Sequence, residues 1–152
     1  MSEIQEGGTR SREVREGVLN VEELSTIVVD SAYRLHVGLG PGLLESVYEA
    51  VLARVLQERG LVVERQKVVS FEYHGMRFDE GLRVDLMVNN LLVIELKSVE
   101  TVAPVHSKQL LTYLRLLNRP LGLLINFGAA TFNEGVKRIS NTIKTSHLRA
   151  SA

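Results

Sequence analysis

At 152 residues the chain suits one domain with a core of its own, and its 45% hydrophobic and 24% charged residues are ordinary for a globular protein. Cysteine is absent, which excludes disulfides, thiol nucleophiles and zinc–thiolate centres. The 18 basic residues balance the 18 acidic ones, so the chain lacks the basic excess of a protein that coats long nucleic acid; any such contact is expected to be local or shared with a partner.

Residues 1–19 read as a flexible arm, with Gly7-Gly8, alternating charges and few apolar anchors. The polar start lacks the apolar segment of a signal peptide, and no apolar run approaches the roughly 20 residues that span a bilayer. A cytoplasmic protein without membrane contact is the expectation. Asn20 followed by Glu23 makes a capping-box pattern. Leu24, Ile27, Val28, Ala32 and Leu35 fall at helical spacing, predicting a first helix to about His36. The glycines and proline over 38–42 break it. A second helix is predicted over 43–59, closed by Gly60, with an apolar stripe of Leu44, Val47, Tyr48, Val51, Leu52, Val55 and Leu56. Glu45 lies beside that stripe.

Beyond Gly60 the period becomes two. Val69, Phe71 and Tyr73 alternate with polar residues, and His74-Gly75 turns the chain into a short segment over 76–78. Strands follow over 82–88 and 92–97. Pro104 opens a third helix, to Leu117, that carries Leu110, Leu111 and Leu114. Residues 121–127 are a near-continuous apolar run, as in a strand covered on both faces. From Thr131 the pattern predicts only weak structure through Ile139, with a frayed tail over 142–152. The order is helix, helix, three strands, helix, strand. It implies an α/β domain over 20–141, with helices on a mixed sheet of about four strands.

The stretch from Arg83 to Lys97 holds the chemistry. A two-residue turn at Asn89-Asn90 sets Asp85 opposite Ile94 and mixes charged and apolar residues on both faces. A three-residue loop, Asn89 to Leu91, instead sets Val88 opposite Leu92, Leu86 opposite Ile94 and Val84 opposite Leu96. One face is then wholly apolar, and the other gathers Arg83, Asp85, Met87, Val93, Glu95 and Lys97. A slip of one residue exchanges the faces, so the pattern selects the second register. Asp85 and Glu95 are then directly opposed, where like charges repel. A divalent cation between them offsets that repulsion. The competing reading is a solvated hairpin face, and the apolar run 91–96 weighs against it, because charges in a covered strand are costly unless paired or metal-bound.

Gly42, Glu45 and Tyr48 stand at GxxExxY spacing, followed by Asp85, then Glu95 and Lys97 two residues apart, then His106, Gln109 and Tyr113 on one predicted helix. With the ending Asn126-Phe127-Gly128, this series resembles the GxxExxY proteins, a branch similar to the PD-(D/E)XK nuclease superfamily. The resemblance runs from about Glu22 to Asn141. One departure is Val84, where the superfamily motif has proline. A restriction-endonuclease-like three-layer α/β/α fold and a nuclease dependent on Mg2+ or Mn2+ are what it implies.

In that reading Asp85 and Glu95 bind the ion with the Leu96 carbonyl, and Glu45 completes the shell directly or through water. Lys97 orients or deprotonates the attacking water and steadies charge on the phosphate. Gln109, Tyr113 and His106 share a helix face that contacts substrate or is plain polar surface. Lys137 and Arg138 touch backbone phosphates or form an ordinary basic pair. Tyr48 is expected in the core with its hydroxyl bonded nearby. The function so assembled is phosphodiester hydrolysis of nucleic acid, DNA before RNA, with a homodimer expected by analogy. The alternative is a non-catalytic module that keeps the fold and binds nucleic acid or protein; a third option is a structural protein with a residual ion site. Zero net charge and 5% aromatic residues suit these two better than a free-standing nuclease.

Overall fold

The computed structural model of the protein describes residues 18–142, so the expected arm and tail lie outside it but for Val18, Leu19 and Thr142. Helix α1 spans Val21–Leu39 and begins with the predicted box: Glu23 N donates to Asn20 Oδ1 at 2.8 Å, and Asn20 N donates to Glu23 Oε1 at 3.1 Å. Its buried face is Leu24, Val28, Ala32 and Leu35. Gly40, at φ 74°, ends it.

Helix α2, Glu45–Glu58, starts two residues later than the pattern predicts and is rolled about its axis. Leu44 and Val47, expected in the core, are 74% and 39% exposed, whereas Glu49 is 6% exposed beside Tyr48, Leu52, Ala53 and Leu56. Periodicity counts apolar positions only. Here a carboxylate takes a core position because Arg65 and Gln66 meet it there.

Five strands form one sheet in the order β1-β2-β3-β4-β5: Val63–Tyr73, Met76–Val88, Leu92–Lys97, Leu121–Asn126 and Val136–Ser140. The segments expected over 76–78 and 82–88 are one strand. Gly81 joins them, and a Cβ there would lie 2.2 Å from a ring carbon of Phe71. The absence of a side chain lets that ring, stacked on Phe78, cross the ribbon. The predicted turn at His74-Gly75 forms with both residues left-handed.

Sheet size is a correction: among the described residues the sheet has five strands, not about four. After the short helix α4, Phe132–Gly135, the chain runs back as β5 against β4. Val136 and Ile139, its half-buried apolar residues, are spaced by three, which does not read as a strand. Pairing with β4 makes it one.

Strands β3 and β4 are parallel, joined through α3, Pro104–Leu117, and the other neighbours are antiparallel. Leu86, Val88, Leu92, Ile94, Leu96, Leu123 and Ile125 pack under α1 and α2. Val84, Met87, Val93 and Leu124 pack under Leu110, Leu114 and Leu117 of α3. The result is three layers, α/β/α, with β4 buried throughout as its apolar run predicts. Among the described residues no helix is long and apolar enough to cross a membrane.

The β2–β3 connection is the three-residue loop. Asn89 and Asn90 are left-handed at φ 50° and 53°, Leu91 N donates to Val88 O at 3.0 Å, and Val88 pairs with Leu92 and Leu86 with Ile94. Asn89 also ties in the start of β1, its Oδ1 accepting from Val62 N at 2.8 Å. Asn89→Ala is expected to cost about 2 kcal/mol in urea denaturation, roughly half from the strained backbone and half from the lost acceptor. A cost near zero would show that the turn does not depend on Asn89.

Candidate active site

Beyond Leu86–Ile94 the β2–β3 ladder ends, and the site forms where the strands part. Val84 does not pair with Leu96 as the register extrapolates. Two residues before Leu86, it packs in the opposite core, so β2 rolls over at Asp85. The expected wholly apolar face therefore ends at Leu86. The opposite face is not a solvated one either, since Met87 and Val93 are buried under α3.

Side chains replace the missing ladder bonds. Leu96 N donates to Asp85 Oδ2 at 2.8 Å, and Asp85 N donates to Glu95 Oε1 at 3.3 Å. The two carboxylates thus stand at adjoining positions, each accepting from the other strand's backbone. On β1 the ladder skips Gln66, opposite Asp85, whose Nε2 donates to Asp85 Oδ1 at 3.2 Å.

A cleft of about 1040 Å³ opens here, with Asp85, Leu96, Arg65 and Gln66 on the sheet side and Glu45 and Glu49 on the helix side. Its outer wall is the loop over 41–44. That loop is held by Tyr48, whose hydroxyl donates to Gly40 O at 2.5 Å and accepts from Leu43 N at 3.2 Å. The Tyr48 ring stacks on Phe127 at 4.4 Å, so this hydroxyl is satisfied in the core as expected. Ser98 N donates to Glu45 Oε1 at 3.4 Å, bringing the first turn of α2 to the end of β3.

Glu95 and Lys97 are not in the cleft wall. Strand alternation from Val93 puts both on the α3 side of the sheet end. Asp85 stands between the two sides, in the cleft and against Glu95.

Burial raises both acids. It pushes the Glu95 carboxyl up to about 8, with Asp85 adding repulsion and Lys97 opposing it. It also raises Asp85, against hydrogen bonds from Leu96 and Gln66. Among the described residues neither acid is in an ion pair. Even half-buried, two carboxylates set against each other without an ion-pair partner are costly. This donor set fits a hard divalent cation: two acids with one strand carbonyl suffice for an octahedral ion that keeps several waters. Among the described residues no three His, Asp or Glu side chains form a ready-made protein cage.

The remaining expected residues are scattered. Gln109 Nε2 donates to the Tyr113 hydroxyl at 3.0 Å, and Tyr113 packs on the α3-side core. His106 is half-buried, and among the described residues its Nδ1 has no partner. Lys137 and Arg138 are neighbours on a strand, so they point to opposite faces and do not act as one basic pair. Arg138 is engaged by Glu22 and Ser25 of α1. Lys137 is exposed.

Glu49, Gln66 and Arg65 escaped the sequence reading. Glu49, one turn after Glu45, had a signal in its spacing. Nothing in a sequence marks the left-handed backbone that aims Gln66. Asn126 was legible only as part of the last core strand. Its Oδ1 accepts from Val99 N and Gly128 N, both at 3.0 Å, and its Nδ2 donates to Val99 O at 2.8 Å. The bonds lock the chain after Lys97 against β4, and a Cβ on Gly128 would lie 2.4 Å from Val99 O. Asn126→Ala is expected to lower stability by about 2–3 kcal/mol by leaving backbone groups unpaired. A thermal shift under 2 °C, which in a domain of this size corresponds to at most about 1 kcal/mol, would contradict that.

A three-layer α/β/α fold with acids at the parting of two central strands is restriction-endonuclease-like. The family model of the PD-(D/E)XK nuclease superfamily matches residues 22–139, and the chain belongs to that superfamily. No curated protein matches it, and no solved structure does.

Proposed function

We propose that the protein is a nuclease of the GxxExxY branch, hydrolysing phosphodiester bonds of nucleic acid, DNA before RNA. Asp85, Glu95 and the Leu96 carbonyl would hold Mg2+ or Mn2+, with Glu45 completing the shell directly or through water. The observation that carries this reading is the pair of half-buried acids, Asp85 and Glu95, set against each other with the Lys97 charge acting on Glu95. Bound there, the ion supplies Lewis-acid polarisation of the phosphate and a more acidic water. Lys97 orients the attacking water and steadies charge growing on the phosphate. Gln109, Tyr113, His106, Lys137 and Arg138 stand in this reading as substrate contacts, Arg138 only on release from Glu22. The protein acts in the cytoplasm as a homodimer; light scattering tests the oligomer.

One observation favours a second reading. Among the described residues the cleft carries Glu45, Glu49, Asp85 and Glu100 against Arg65, which is itself paired with Glu49. Such a wall suits a non-catalytic module that binds a protein partner. Incubation with single- and double-stranded DNA and RNA in Mg2+, Mn2+ or EDTA separates the two. Cleavage that requires metal supports the nuclease; binding without cleavage in every metal leaves the module.

A further inference from the structure

Gln66 stands inside β1 with φ at 48°. Glycine, and less readily Asn or Asp, adopts that region at low cost. A glutamine there stores on the order of 1–3 kcal/mol and persists only where its surroundings hold it. Two carboxylates do so. Gln66 Nε2 donates to Glu49 Oε1 at 2.5 Å and to Asp85 Oδ1 at 3.2 Å, one for each hydrogen of the amide.

Glu49 is a fixed anchor. It is 6% exposed, and its other oxygen accepts from Arg65 Nε at 3.2 Å. Asp85 is tied at both ends as well, since Oδ2 accepts from Leu96 N at 2.8 Å. Bonds on both oxygens set the plane of the Asp85 carboxylate and leave a lone pair on each. A strand residue of ordinary backbone would send its side chain to one face of the sheet. The left-handed backbone instead aims the amide at the gap where β2 and β3 part.

We infer that Gln66 is a positioning residue that, anchored by Glu49 and Arg65, orients the Asp85 carboxylate toward its cation. Where a cation is concerned this rests on the nuclease reading; the orientation of Asp85 does not. Partners that orient a metal ligand are typically worth about 10–100-fold in metal affinity.

The test uses Gln66→Gly, which removes the amide while relieving the backbone. Two quantities are measured in the whole chain: hydrogen exchange of the Leu96 amide without metal, and Mn2+ affinity by calorimetry. Expected are a roughly 10-fold faster Leu96 exchange with Val93 and Ile94 unchanged, and Mn2+ binding weaker by about 10–100-fold. Should this variant fail to fold, Gln66→Asn carries the same test. It tolerates the left-handed backbone and leaves the amide one methylene short of the two acids. Leu96 exchange and Mn2+ affinity both at wild-type levels would overturn the inference, as would equal loosening of every β3 amide. If the wild-type protein binds no Mn2+, the nuclease reading falls, and Leu96 exchange alone decides whether Gln66 positions Asp85.

Discussion

Asp85→Asn and Lys97→Ala are each expected to lower metal-dependent cleavage by about 10³-fold, for different reasons. Asparagine keeps an oxygen for the Leu96 N–H but removes the charge that would hold the ion in the proposed site. Mn2+ affinity should therefore fall together with turnover. Lys97→Ala removes the ammonium that would orient the attacking water while leaving both acids in place. Turnover should fall with Mn2+ binding retained. Calorimetry beside single-turnover cleavage distinguishes the two patterns, and melting in EDTA checks that the fold is intact. Cleavage within 10-fold of wild type in both variants would remove these residues from the chemistry.

The second large effect is on stability against pH. Glu95 titrates near 8 in the folded protein against an ordinary 4.5, so folding favours its protonated form. That contribution is fully present below about pH 4.5 and is lost as pH rises through 8, and the raised Asp85 has the same sign. At roughly 1.4 kcal/mol per pH unit, Glu95 accounts for about 4 kcal/mol between pH 4.5 and 9. Urea denaturation in EDTA should show wild-type stability falling over this interval. Glu95→Gln should track wild type at low pH and exceed it at pH 8.5. Saturating Mg2+ or Mn2+ should restore the wild type at high pH and do nothing for the variant. Equal pH slopes for the two proteins would mean that Glu95 is an ordinary acid.

Much of this site was legible from local chemistry. Asn89 and Asn90 announce a left-handed turn, and the alternation on either side admits only one register, which brings Asp85 beside Glu95. The same alternation implies a regular ladder past Leu86, which the structure lacks, and so it misplaces Val84. A strand's own pattern does not reveal where it parts from its neighbour. The helix stripe failed for a related reason: Leu44 and Val47 fit the period, yet the ion pair and amide at Glu49 roll α2 the other way.

The opposed acids Asp85 and Glu95 with Lys97 two residues on were thus written into the sequence, along with the three central strands, the capped first helix and the two-sided burial of β4. These depend on contacts a few residues apart or on periods of 2 and 3.6. Tertiary structure alone decided the rest. Strand β5 exists because β4 offers it an edge. Arg138 is committed to Glu22, 116 residues away. The Glu49–Gln66–Asp85 link joins three elements through a backbone angle that glutamine does not prefer. Each is a contact between distant segments, and its energy is available only once the whole sheet and its helices are in place.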